Sequence, residues 1–200
     1  VIDVSQITSM QHEAVSRWHR QDIDNPYEGF LAIACQQHSF NFRLWHEEDI
    51  ARSPDVDDAR IATVKRAIDG LNQKRNDWIE KLDDALADLL EQQDVRTHSD
   101  ARLNTETPGS VIDRLSILAL RIFHLREQMN RTDVSAEHLE SVQRKIAVCL
   151  MQHEDLSTAL RELLEDLFAG NKRHRTYRQF KMYNDPALNP YLYAAGKQAA

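Results

Sequence analysis

DDARIATVKRAIDGLNQKRNDWIEKLDDALADLLEQQ, residues 57–93, is the stretch on which the fold is decided. Ile61, Val64, Ile68, Leu71, Trp78, Leu82 and Leu89 recur at alternating spacings of three and four, the period of one helix face. No proline interrupts the run, and Asp57 stands where an N-cap belongs. The segment therefore reads as one long helix reaching Gln93. Arg75 takes a position on this seam where a hydrophobe is expected, which calls for a buried partner to its guanidinium.

The same period extends in both directions. Upstream, a first helix spans about 5–20, capped by Ser5, with Ile7, Met10, Ala14 and Trp18 on one face. DNPYEG at 24–29 turns the chain into a second helix over 28–52, which Ser53-Pro54 ends. Downstream, polar residues 94–107 form a loop. Thr107 caps a fourth helix with Pro108 at its first position, running to Arg131. Ser135 opens a fifth that ends at Gly170, and 170–200 reads as an irregular wrap. The expected architecture is one all-α domain over 1–200, an elongated bundle of two long antiparallel helical hairpins (28–93 and 109–169). An N-terminal helix and turn (1–27) and a basic strap with C-terminal wrap (170–200) complete it. No sheet is expected.

The two hairpins read as copies. LWHEEDIARSPDVDDARIATVKRAI (44–68) lies over IFHLREQMNRTDVSAEHLESVQRKI (122–146) at a shift of 78 without a gap. Identities fall at His46/His124, Asp55/Asp133, Val56/Val134, Val64/Val142, Arg66/Arg144 and Ile68/Ile146, and the caps Asp57 and Ser135 coincide. In each copy the second arm is the longer, at roughly 50 Å against 35 Å for a rise of about 1.5 Å per residue.

Composition agrees with helices. Five Gly and five Pro in 200 residues disfavour turn-rich β folds, and 42% hydrophobic with 28% charged residues are globular values that disfavour a disordered chain. The longest apolar run is Phe30–Cys35, too short to span a membrane. Cys35 and Cys149 sit in apolar helical patterns, which suits a reducing cytoplasm. Charge is uneven. Residues 1–169 carry 31 acidic and 19 basic side chains, whereas 170–183 carries Lys172, Arg173, Arg175, Arg178 and Lys181 and no acid. This strap either docks on the acidic bundle or grips an anion, pairing its charges with Tyr177, Phe180 and Tyr183. Nucleic acid is not an expected partner, because the remaining surface repels it.

Three constellations could carry chemistry. The repeat puts His46-x-x-Asp49 and His124-x-x-Glu127 at equivalent places, each aiming an imidazole and a carboxylate at one spot. Two nitrogens and two carboxylates make a donor set for a divalent metal; alternatively they form a buried polar layer with Arg52, Arg75 or Arg114. No Glu-x-x-His occurs, which disfavours a di-iron bundle. The second constellation is the start of the fourth helix, where Thr107, Gly109 and Ser110 offer free N–H groups to an anion, with Arg114 one turn on. The third is a polar stripe of Lys65, Asp69, Asn72, Asn76 and Asp83 on the long helix. Beside it, Glu80-x-x-Asp83 gives half of a magnesium motif whose Glu-x-x-Glu partner is missing.

LWHEEDIAR (44–52), LNQKRND (71–77), LNTETPGSVIDRLSILALRIFH (103–124) and YRQFKMYNDPALNP (177–190) resemble a bacterial family known as domain of unknown function 4254. The resemblance covers nearly the whole chain. It implies a soluble all-α protein, often encoded near glycosyltransferases of cell-surface polysaccharide production, and no established activity. It singles out His46, Glu48, Asp49 and Arg52, then Arg75 and Asn76, then Thr107, Gly109, Ser110, Asp113, Arg114 and His124. Its last block adds Arg178, Gln179, Lys181, Tyr183, Asn184 and Asp185. Phe123 stands where a Tyr is expected. The leading expectation is a cytoplasmic protein that binds, or acts on, a phosphorylated or nucleotide-linked sugar. Its phosphate would be held by the strap and the helix start at 107–110. A homodimeric adaptor, or a metal-dependent enzyme using His46, Asp49, His124 and Glu127, are the alternatives.

Overall fold

A computed structural model describes residues 2–182 and 185–198. Among the described residues there are six helices: α1 (Val4–Trp18), α2 (Gly29–Ala51), α3 (Asp58–Gln92), α4 (Pro108–Met129), α5 (Ala136–Phe168) and α6 (Pro190–Gln198). Three begin on the expected caps. Asp57 accepts from the Arg60 N–H at 2.7 Å, Thr107 from Ser110 at 3.2 Å, and Ser135 from His138 at 3.2 Å. The exception is α1, where Asp3 rather than Ser5 is the cap, accepting from the Ser5 N–H at 2.8 Å. A carboxylate is the stronger acceptor, and it also fixes the Ser5 hydroxyl at 2.7 Å.

The 78-residue shift holds at the helix ends. It carries the C-terminus of α2 (Ala51) onto that of α4 (Met129), and the start of α3 (Asp58) onto that of α5 (Ala136). With 35 and 33 residues, α3 and α5 are the longest, against 23 and 22 for α2 and α4. Each hairpin packs on itself, α2 on α3 and α4 on α5. The hairpins meet where α2 and α4 run side by side. Their direction is the same, since contacts pair His38 with Ser116 and His46 with His124, eight residues further along both helices. The α1 helix covers the junction of α2, α4 and α5. Its Ile7, Met10, Ala14 and Val15 close the core on Leu86, Ile112, Leu115 and Leu160, all at most 2% exposed. Fully burying a side chain of this size contributes roughly 1.5–3 kcal/mol.

Two details differ from the expected fold. A two-residue parallel ladder joins β1 (Arg102–Leu103) to β2 (Lys172–Arg173), so the loop after α3 is stitched to the strap. Two residues are too few to show an alternating pattern. Gly170 directs the strap there: its φ is 76°, and a Cβ would meet the Arg96 carbonyl oxygen at 2.3 Å. The wrap is also not wholly irregular, because Asn189 accepts from the Tyr191 N–H at 3.0 Å and opens α6.

Candidate functional site

The layer between α2, α3 and α4 is built around Asp113, whose side chain is 6% exposed. Its carboxylate accepts from Gln37 Nε2 (2.6 Å), Asn41 Nδ2 (2.9 Å) and Arg75 Nε (2.8 Å), and pairs through its second oxygen with Arg75 Nη2. This is the partner that the Arg75 position demanded. The carboxylate holds the guanidinium charged and raises its pKa, with burial opposing. Asn41 also bonds Ser116 Oγ at 2.8 Å, and Ser116 Oγ meets His38 Nδ1 at 2.6 Å. Burial drives the pKa of His38 down to about 3, so the ring stays neutral.

Above this network opens a cavity of about 370 Å³. Trp45, Asn41, Asn72, Glu48, Asp49, Arg52 and Arg75 supply its walls, and Leu44, Ile117 and Leu120 its apolar floor. Arg52 is 71% exposed and paired with Glu48 one turn back. Trp45 is a shared wall, because the indole also stacks on His124 with centroids 4.8 Å apart and planes 9° apart.

Behind that wall lies a group of imidazoles. His19, His46 and His124 each bring one ring nitrogen within 4.8 Å of the others. His19 ends α1, and its Nδ1 lies 2.7 Å from the Val15 carbonyl, which makes Nδ1 the protonated nitrogen. His124 Nδ1 lies 2.7 Å from Glu127 Oε2, while its Nε2 is buried without a partner among the described residues. Burial lowers the pKa of His46, and His19 and His124 lower it further, against the pull of Asp49 and Glu127. Phe123 stacks on His19 at 4.4 Å.

The expected His46–His124 meeting is therefore present, but its carboxylates stand differently. Glu127 engages Nδ1 of His124 rather than sharing its target. Asp49 is exposed and faces the cavity. The third nitrogen comes from His19, which sequence reasoning missed because it lies outside the repeat. Trp45 and Asn41 were missed as well; Trp45 lies inside the quoted 44–52 block as its only large aromatic, and Asn41 stands three residues before it.

The expected phosphate holders do not converge on this cavity. At the start of α4 the anion belongs to the chain, since Gly109 N–H donates to Asp83 Oδ1 at 2.8 Å and Thr107 is buried. Gly109 is needed there: a Cβ would meet the Ile79 carbonyl oxygen at 2.6 Å and Asp83 Oδ1 at 2.8 Å. Burial raises the Asp83 pKa, although Thr107 and Gly109 pull it down. Thr107 also bonds Ser110 at 3.0 Å. Arg114 pairs with Glu106 at 2.6 Å and faces a different groove, between α4 and α5. In the strap, Arg178 clamps Asp84 through two bonds of 2.8 Å and reaches Glu80 at 3.2 Å. Lys181 and Asp185 border a separate groove with Gln73, Phe180 and Leu188 and do not line the cavity. Asn76 is half-buried on α3 beside the cavity without lining it. Tyr183 and Asn184 lie outside the described residues.

No curated protein and no solved structure matches the chain. A family model described as Protein of unknown function (DUF4254) matches residues 31–176, which include all but the first two residues of α2, the whole of α3 to α5, and every residue lining the cavity. The chain belongs to that family.

Proposed function

We propose that this DUF4254 chain binds a phosphorylated or nucleotide-linked sugar in the cavity between α2, α3 and α4. The reading includes the setting that the sequence resemblance implies, a bacterial cytoplasm and the production of cell-surface polysaccharide. The observation that carries it is the lining. An indole face, two amides, two carboxylates and two guanidiniums stand over an aliphatic floor in about 370 Å³. Volumes of roughly 300–1,000 Å³ are usual for small-molecule sites. Sugar rings present apolar C–H faces to an aromatic plane and hydroxyls to amides and carboxylates, and Trp45, Asn72 and Asp49 offer that pairing. Arg75 is immobilised by Asp113, yet its second terminal nitrogen keeps its donors. Arg52, exposed and paired only with Glu48, is the cation able to turn towards a phosphate.

Thermal unfolding with a panel of sugar phosphates and nucleoside diphosphate sugars tests this. A ligand at 100 times its Kd adds about 2.7 kcal/mol, a rise of roughly 5–10 °C for a chain of this size. Arg52→Ala and Asn72→Ala, both at the cavity wall, should abolish the rise while leaving the unliganded Tm in place. No rise with any ligand, or a rise that persists in both variants, overturns the proposal.

A further inference from the structure

The histidine group has features that packing alone does not require. Three imidazoles from three separate helices, α1, α2 and α4, gather with centroids 5.1 Å (His19–His46), 5.1 Å (His19–His124) and 5.9 Å (His46–His124) apart. Each ring nitrogen that faces outward from the group and is bonded has an acceptor: the Val15 carbonyl for His19 and the Glu127 carboxylate for His124. Those bonds place the proton on Nδ1 and leave Nε2 with its lone pair. At His124 that Nε2 is buried and has no partner among the described residues. An unpaired buried nitrogen costs free energy unless something occupies its lone pair.

We propose that His19, His46 and His124 bind one zinc ion through their free ring nitrogens, with Glu127 orienting His124 from behind. A carboxylate or carbonyl on the far nitrogen of a ligand histidine is the usual brace in such sites. Zn–N bonds of about 2.0–2.1 Å in a tetrahedron bring ligand nitrogens to roughly 3.4 Å. The present separations are all within 4.8 Å. Three neutral nitrogens are a zinc donor set with one position left for water or substrate. Oxygen-seeking ions such as magnesium and calcium find no ligands here, because Asp49 faces the cavity and Glu127 is committed to Nδ1. The sequence reading placed both carboxylates on the metal; the geometry substitutes His19 for them. The ion does not depend on the sugar proposal, since Trp45 separates the two places and binding is read without any organic ligand.

The test is metal titration of the full chain after stripping with a chelator. Cobalt(II) should bind at one equivalent and develop the visible d–d bands of a four- or five-coordinate nitrogen site, and zinc should displace it. Stacking of Trp45 on His124 supplies a second readout, quenching of indole fluorescence by bound cobalt. His46→Ala and His124→Ala should remove the bands. His19→Gln, at the exposed end of α1, should remove them without affecting the fold, and Glu127→Gln should weaken affinity about 10- to 100-fold. His153→Ala, in a separate pair with His12, should leave binding unchanged. Failure to take up cobalt or zinc stoichiometrically overturns the proposal. So does binding that survives His19→Gln, or that falls as far in His153→Ala as in His46→Ala.

Discussion

Replacing Asp113 with Ala removes four hydrogen bonds at once and leaves Arg75 as an uncompensated cation. The size of the loss follows from what each partner has left. The Arg75 side chain is 26% exposed, so water reaches part of the guanidinium. Breaking a buried pair by deleting one member costs about 3–5 kcal/mol, and this exposure places the electrostatic part at the lower end. Asn41 keeps Ser116 as an acceptor for its amide, so it adds little. Gln37 loses its acceptor entirely, and a buried donor left unmade costs about 1–3 kcal/mol. The expected loss is about 4–5 kcal/mol, a fall in Tm of roughly 10–18 °C.

Arg75→Met should be milder, because Asp113 keeps two amide donors, while the pair Asp113→Leu with Arg75→Met should recover most of the stability. An apolar pair of similar volume escapes the desolvation cost that an unpaired charge cannot. Urea unfolding of the three variants, with an unchanged m-value, measures the coupling directly. An Asp113→Ala chain within about 1 kcal/mol of the parent, or single losses that simply add in the double variant, would refute the assignment of Asp113 as the centre of the layer.

Two other outcomes are specific. His38 is neutral in the fold with a pKa near 3 and about 6.5 when unfolded, so the unfolded state binds more protons between those values. The His38 contribution should be intact above pH 6.5 and cost about 2–3 kcal/mol on acidification to pH 4.5, beside the losses from His12, His46 and His153, whose pKa values burial also lowers; His38→Gln should therefore reduce the slope in urea titrations without abolishing it. Arg178→Ala removes an exposed, solvent-screened clamp on Asp84 and Glu80 and should leave the unfolding midpoint nearly unchanged, with ligand-induced stabilisation unchanged. Loss of that stabilisation in the thermal assay would restore the strap as an anion grip.

What could be read from the sequence were features with a local cause. The seam of α3, the caps at Asp57, Thr107 and Ser135, and the demand of Arg75 for a partner each follow from residues within a few turns. What could not be read depends on how helices approach one another. Asp83 sits on a polar stripe like a solvated acid, and only the docking of α4 on α3 turns it into the buried acceptor of Gly109. The strap could be read as docking on the acidic bundle, the favoured reading, or as gripping an anion; Glu80 and Asp84 on the facing side of α3 are where Arg178 goes. His19 follows Trp18 at the end of a helix that the repeat does not contain, so no spacing rule pointed to it.

The repeat also accounts for where the histidine group and the cavity lie. Around a twofold axis, only residues on the axis meet their own equivalents. His38 and Ser116 are 78 apart and bonded; His46 and His124 are 78 apart and in ring contact. The axis thus runs between α2 and α4 through both pairs. Trp45 and Phe123, also equivalent, cover the same cluster, one stacked on His124 and the other on His19. Away from the axis the copies diverge. The equivalents of Arg75 and Asp113 are His153 and Cys35, which cannot form an ion pair, and α1 packs against α2 and α5 on that side. One flank therefore keeps a charged layer with a cavity above it, while the other is closed by a helix. A twofold scaffold supplies imidazoles in pairs, so a third nitrogen has to come from an element outside the repeat. The closing helix provides it, because α1 ends at the axis with His19.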